Sequence, residues 1–325
     1  VPPLVELRDW TVELPTPNGW VRPVHGVSLA LRPGETLGLV GESGSGKTML
    51  GLSLAGLLPL GARRSGQAWL AANGAEPRNL ATAGVKELTA IRGREIGFIF
   101  QEPMTALNPV MRVGAQIAEA VLAHSPRLDK AEAHDRVLAA LERARVPDAG
   151  ARARQFPHQL SGGLRQRVMI AMALAAGPRL LIADEPTTAL DVTVQDEILA
   201  LLRKLQEEMN LSLLFITHDL AVVAQIAARV AVMYAGHVVE TGPARDVLRQ
   251  PRHPYTEGLL RASPQLDRRE LFPIPGSIPS IHQMPPGCPF EPRCFYRQPI
   301  CSAALPEWRQ AGPDHHARCI LVTPP

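Results

Sequence analysis

The chain has 325 residues, 46% of them hydrophobic, with 34 basic against 31 acidic side chains and a net charge of +3. Such length and apolar content allow a large buried core, while the interspersed, nearly balanced charges offer no basic groove for nucleic acid. No apolar run reaches the roughly 18 residues of a membrane-spanning helix; the longest candidate, Met49 to Ala62, is broken by glycines and Pro59. No basic-then-apolar leader opens the chain, so the expectation is a cytoplasmic protein.

Residues 4–14 (LVELRDWTVEL) and 24–31 (VHGVSLAL) alternate apolar and polar. They predict antiparallel strands with one wet face, joined through the turn sequence TPNGW. The pattern then changes to short, nearly continuous apolar runs: TLGLVG (36–41), EIGFIF (95–100), RLLIAD (179–184), SLLFIT (212–217) and RVAVMY (229–234). Strands of this kind are covered on both faces, as in a parallel α/β sheet. Helical spacing falls at 47–58, 164–176, 193–209 and 219–227. Residues 110–150 carry helical periodicity with no strand between, which predicts an inserted helical subdomain over about 102–165. After Gly242 the composition turns to proline (PIPGSIPS, QMPPGCPFEP). Proline excludes long helices and central strands, so this part is expected to be a loop-rich extension. The expected division is 1–245 and 246–325.

GESGSGKT, comprising Gly41, Glu42, Ser43, Gly44, Ser45, Gly46, Lys47 and Thr48, fits G-x-x-x-x-G-K-[ST] between a strand and a helix. Glycines let backbone N–H groups face phosphate oxygens, and the helix N-terminus adds partial positive charge. Lys47 would reach the β- and γ-phosphates of ATP, and the Thr48 hydroxyl would hold Mg²⁺. RLLIADEP ends a buried strand on Asp184 and Glu185. Ligands of open α/β sheets bind beyond strand carboxyl ends. Asp184 is thus placed for Mg²⁺, and Glu185 to orient or deprotonate the attacking water. Gln101 and His218 also end apolar strands, at the same end of the expected sheet, where a role at the γ-phosphate fits.

LSGGLRQR (160–167) resembles the signature of ABC ATPases, and Gly41–Thr48, Gln101, Leu160–Gly163, Asp184–Glu185, ALD (189–191) and His218 follow that family's order across residues 4–245. QEPMTALNP (101–109), FPHQLSGG (156–163) and HPYTEGLL (253–260) resemble the ATPase subunits of bacterial oligopeptide/dipeptide importers, a subfamily that includes nickel-complex importers. The resemblance implies an α/β P-loop NTPase core of ABC type with an N-terminal antiparallel β subdomain, an inserted helical subdomain and a loop-rich C-terminal extension. It implies an ATPase that pairs head to tail, so that Ser161, Gly162, Gly163 and Asp191 complete the nucleotide site of a facing subunit. Gln101 would join Thr48 and Asp184 at Mg²⁺, with Glu185, Gln101 and His218 at the reacting phosphate.

The implied partners are a second ATPase, by subfamily precedent a different chain, two transmembrane permeases and, indirectly, an extracytoplasmic substrate-binding protein, on the cytoplasmic face of the membrane. Competing readings are an ATPase for a nickel chelate or other small solute, and a soluble ABC-type ATPase of DNA repair or translation. The latter carry paired ATPase units, long coiled-coil insertions or basic arms, none of which this sequence displays. The family's adenine-stacking position falls on Leu14, which leaves Trp10 or Trp20 as substitutes, with Trp10 equally readable as core.

All four cysteines crowd the tail as Cys288, Cys294, Cys301 and Cys319. In a reducing compartment clustered cysteines are more often metal ligands than disulfides. Four thiolates suit Zn²⁺ or a [4Fe–4S] cluster, and bare thiols stay open. The family resemblance favours the cluster, as a cross-link for a part that lacks its own core.

Overall fold

The computed structural model describes residues 2–71, 76–188, 190–263 and 273–323. The chain forms two compact units, residues 1–83 with 215–325, and residues 84–214.

In the first unit, β1 (Val5–Thr16) and β2 (Gly19–Leu31) form the expected antiparallel hairpin, closing at Thr16 opposite Gly19. β3 (Thr36–Val40) is buried along its whole length and leads through residues 41–46 into helix Lys47–Leu54. β4 (Arg63–Leu70) then pairs with the other edge of β1, and β5 (Arg78–Asn79) with β4. β4 escapes sequence reading because RRSGQAWL is mostly polar and sits on a half-exposed sheet. Trp10 lies at the centre of this layer, fully buried, with its indole N–H donating to Ser53 Oγ at 2.9 Å. It is therefore a core residue with its polar handle satisfied.

The second unit holds β6 (Ile96–Ile99) and β7 (Leu180–Asp184), paired in parallel with Ile99 opposite Ala183. Helices Val113–His124 and Lys130–Arg143 stand within residues 110–150, where the spacing predicts helices. The second starts at Asp129, whose carboxylate accepts the N–H groups of Ala131 and Glu132 while Glu132 reaches back to the Asp129 N–H. This capping box satisfies donors the helix cannot use itself. Helix Val192–Met209 buries Ile198, Leu199, Leu201, Leu202 and Leu205, one stripe at helical spacing. β8 (Ser212–Thr217) carries the chain back into the first unit.

There β9 (Arg229–Tyr234) runs parallel to β3. It turns through Ala235 and Gly236, both at positive φ, into antiparallel β10 (His237–Pro243). Two left-handed residues match the twist of a tight hairpin. The extension is less irregular than its proline content suggests. Helices Ala244–Arg249 and Pro254–Ala262 open it, the latter with proline at its first position, where the missing N–H costs nothing. Strands β11 (Arg309–Gly312) and β12 (His315–Ala317) close it, with β12 laid on the edge of β10. That covers an edge otherwise open to pairing. Phe290, Cys288 and Cys301 pack into one apolar cluster with Val40, Val232 and Tyr234. The extension thus shares the core of the unit it belongs to.

Among the described residues no helix is long and apolar enough to cross a membrane.

Candidate functional site

The phosphate loop owes its shape to its neighbours. A Cβ on Gly41 would collide with the carbonyl of Met233 in β9, and one on Gly46, at φ 103°, with the carbonyl of Pro23 in β2. Only glycine lets the loop pass between these two strands. Gly236 N–H donates to Ser45 O at 2.9 Å, which ties the loop to the β9–β10 turn. Lys47 is 5% exposed, and its ammonium donates to the carbonyls of Gly41 (2.8 Å) and Glu42 (2.9 Å) and to Ser45 Oγ (3.4 Å). A buried ammonium at a helix start is an electropositive centre, where an anion is favoured. In the same unit His218 stands exposed just past β8. Asp219 next to it caps helix Leu220–Ile226 by accepting from Ala221 N–H at 2.8 Å.

The second unit carries the acidic half. Asp184 is 2% exposed at the end of β7, and Glu185 follows at φ 46°. A left-handed glutamate is strained, at a cost on the order of 1–3 kcal/mol. Thr188 Oγ1 donates to Glu185 Oε2 at 2.8 Å, and Gln101 Nε2 reaches the same oxygen at 3.4 Å from the end of β6. The parallel register of β6 and β7 brings these two side chains together. Ser161 caps helix Gly162–Leu174, its hydroxyl accepting from Leu164 N–H, and is exposed together with Gly162. Asp191 caps helix Val192–Met209 through Val194 N–H at 3.0 Å. A Cβ on Gly163 would meet Val194 Cγ1 at 2.8 Å, so the helix starts headed by Ser161 and Asp191 pack side by side. Of the ALD run, Ala189 lies outside the described residues.

Trp20 is 44% exposed on β2, with the Arg63 guanidinium 3.9 Å above its ring. The burial of Trp10 leaves Trp20 as the accessible aromatic of the two.

The expected metal site in the tail is corrected. Among the described residues no group of three or more His, Cys, Asp or Glu side chains could hold a metal ion, and Cys288, Cys294, Cys301 and Cys319 are free thiols. Neither a [4Fe–4S] cluster nor Zn²⁺ is supported. Burial pushes the Cys288 thiol up to about 11 and raises Cys294 and Cys319 as well, so as free side chains they stay neutral thiols. The four line a cavity of about 20 Å³ beside Phe290 and His253, space on the scale of one water. They pack as small apolar groups. The premise behind the expectation also fails, because the extension has a core to share.

Polar contacts add to that docking. Glu240 on β10 is fully buried and accepts from the N–H groups of Arg252 (2.7 Å) and His253 (2.9 Å), with His315 Nε2 at 2.7 Å from β12. Tyr234, Tyr255 and Phe290 meet with ring centroids 4.5–5.3 Å apart. Sequence reading marked HPYTEGLL but missed what Tyr255 does: its hydroxyl accepts the Glu42 N–H at 2.7 Å. It passed over Arg293 altogether, which pairs with the Glu42 carboxylate at 2.6 Å. Neither contact leaves a local signal, since the partners lie more than 200 residues apart along the chain.

Comparison with known proteins places this architecture. Residues 24–188 match the ABC transporter family model, and residues 239–301 match the oligopeptide/dipeptide transporter C-terminal region. The chain is 50% identical over 305 residues to the oligopeptide transport ATP-binding protein OppD of Salmonella typhimurium, covering 93% of this chain and 89% of that one. It is 46% identical over 321 residues to the dipeptide transport ATP-binding protein DppD of Bacillus subtilis, covering 98% and 94%. Among solved structures, a dimeric ATP-binding cassette in a post-hydrolysis state with ADP and Pi is similar at a TM-score of 0.65 and 29% identity, covering 74% of this chain and 99% of that one.

Proposed function

We propose, from the premise that this chain belongs to the ABC transporter family, that it is the ATP-hydrolysing subunit powering import of oligopeptides or dipeptides. ATP hydrolysis coupled to transport is the activity of its family. The peptide assignment is carried by one observation: an ABC cassette and an oligopeptide/dipeptide transporter C-terminal region occur in the same chain. We divide that chain as 1–245, the ATPase, and 246–325, the extension.

In this reading Gly41 to Thr48 cradle the triphosphate by backbone N–H groups, and Lys47 exchanges loop carbonyls for phosphate oxygens. Such charge-assisted bonds outweigh those to neutral carbonyls. Thr48, Gln101 and Asp184 would hold Mg²⁺. Hydroxyl, amide and carboxylate are the oxygen donors a small hard cation takes, with waters and phosphate completing its shell. When bound, Mg²⁺ supplies neutralisation of charge on the β- and γ-phosphates. Glu185 accepts a proton from the attacking water, with Thr188 and Gln101 orienting its carboxylate. His218 donates to the γ-phosphate.

The exposed helix start at Ser161–Gly163, with Asp191 beside it, serves the nucleotide of a facing cassette. The similarity to a dimeric cassette supports this pairing. ATP then holds two subunits together, and its hydrolysis releases them. That cycle drives two transmembrane permeases on the cytoplasmic face of the membrane, with a different ATPase chain as the facing subunit and an extracytoplasmic binding protein delivering the peptide.

The test is reconstitution with the cognate permeases and binding protein in vesicles. ATP-dependent accumulation of labelled oligopeptides or dipeptides is the expected result. Uptake of a nickel chelate without peptide uptake, or copurification with ribosomes or DNA in place of permeases, would overturn the assignment.

A further inference from the structure

We propose that the C-terminal extension sets the nucleotide affinity of the phosphate loop through a single residue, Glu42, with Arg293 and Tyr255 as positioning residues. The inference rests on the ATPase reading above and assigns control of that same site.

Three groups of Glu42 are held from three directions. Its carboxylate takes two parallel bonds from Arg293, Nη1 to Oε2 at 2.6 Å and Nη2 to Oε1 at 3.0 Å. Its N–H donates to Tyr255 Oη at 2.7 Å. Its carbonyl accepts from Lys47 Nζ at 2.9 Å. Two of the three partners come from the extension, and the third is the lysine that binds phosphate.

The clamp is built. Arg293 has a side chain 5% exposed, donates through Nε to Pro275 O at 2.8 Å, and through Nη1 to Tyr234 Oη at 3.3 Å. Burial works against its charge, yet the bonds to Glu42 and Tyr234 outweigh it and raise its pKa. Its bonds to Pro275 O and Tyr234 Oη hold the guanidinium in place independently of Glu42. Tyr255 is fully buried, its ring fixed against Tyr234 and Phe290.

Two physical consequences follow. A carboxylate as the second residue of a loop that binds a polyanion repels its ligand, and a bidentate guanidinium neutralises it there. The Tyr255 bond, meanwhile, orients the Gly41–Glu42 peptide so that the Gly41 carbonyl faces Lys47. The loop is thereby ordered before nucleotide arrives, which lowers the entropic cost of binding.

The experiment uses the full chain and measures binding of ATP with Mg²⁺ by titration calorimetry, beside thermal unfolding and, in the transporter, kcat and KM. Arg293→Met is expected to weaken ATP binding about tenfold, as a factor set by about 1.4 kcal/mol. KM should rise more than kcat falls. Adding Glu42→Gln to Arg293→Met is expected to recover most of the lost affinity, because it removes the exposed negative charge. A purely structural brace would not show that rescue.

Arg293→Met binding ATP within about twofold of wild type, or a double variant with no recovery, overturns the inference. Should Arg293→Met fail to fold, Tyr255→Phe keeps the ring packing and removes only the acceptor. It is expected to weaken ATP about threefold, and unchanged affinity in that variant overturns the proposal equally. A wild-type chain that binds no ATP would instead overturn the ATPase reading, and this inference with it.

Discussion

Gln101 and Glu185 touch at 3.4 Å across the ends of two adjacent parallel strands, and Thr188 holds the same glutamate oxygen at 2.8 Å. A carboxylate oriented by two neutral donors and set on a left-handed backbone is a fixed acceptor. Glu185→Gln keeps the shape and removes the basicity. We expect it to bind ATP, to lose roughly 10²–10⁴-fold in kcat, and to accumulate as an ATP-bound dimer with a facing cassette in gel filtration. Undiminished turnover would remove Glu185 from the reaction.

Lys47→Ala removes the ammonium that now rests on Gly41 and Glu42 carbonyls. A hydrogen bond to a charged group contributes about 1.5–3 kcal/mol, so ATP affinity should fall at least about tenfold in calorimetry. The loss of affinity should exceed any loss of thermal stability, which a melting curve on the same variant measures.

Gly163→Val tests the start of helix Gly162–Leu174. Its Cβ alone would press on Val194 Cγ1 at 2.8 Å. Overpacking of this kind costs about 1–3 kcal/mol, so melting temperature should fall. ATP binding to the single chain should persist while ATPase activity with the partner cassette is lost. Loss of binding in the isolated chain would contradict the assignment of this helix start to the facing subunit's nucleotide.

His237 and His253 make the first unit acid-sensitive. Burial lowers His237 to about 3, helped by His25 and Arg318, and lowers His253 to about 4, against the pull of Glu240. Both folded values lie below the ordinary histidine value of 6.5. Above that value both states are neutral and neither histidine contributes. As pH falls through it, the unfolded chain takes up protons that the folded chain refuses, so stability drops. Urea midpoints should decline from about pH 7 to about pH 5, and His237→Asn should flatten part of that decline. A pH-independent midpoint over this window would refute it.

Much of the nucleotide machinery is legible locally. The phosphate loop is a contiguous string whose glycines, lysine and threonine each have a chemical reason, and the apolar runs ending in Gln101, Asp184–Glu185 and His218 place polar groups at strand ends. Strand β4 was not legible, because a polar, half-exposed strand lacks the apolar run that marks its neighbours. The cysteine crowding misled for a related reason. Spacing along the chain counts thiols without knowing that Cys288 and Cys301 have an apolar cluster to enter.

Sequence by itself determined which residues can carry the phosphate chemistry, because backbone freedom, charge and nucleophile-orienting groups reside within short segments whose conformation their own composition dictates. Only the tertiary structure decided that Trp10 is core, that Cys288 and Cys301 join an apolar cluster with Val40 and Tyr234, and that Arg293 and Tyr255 grip Glu42. Those outcomes depend on what a side chain meets from tens to hundreds of residues away, and burial and pairing across such separations have no counterpart in any local pattern.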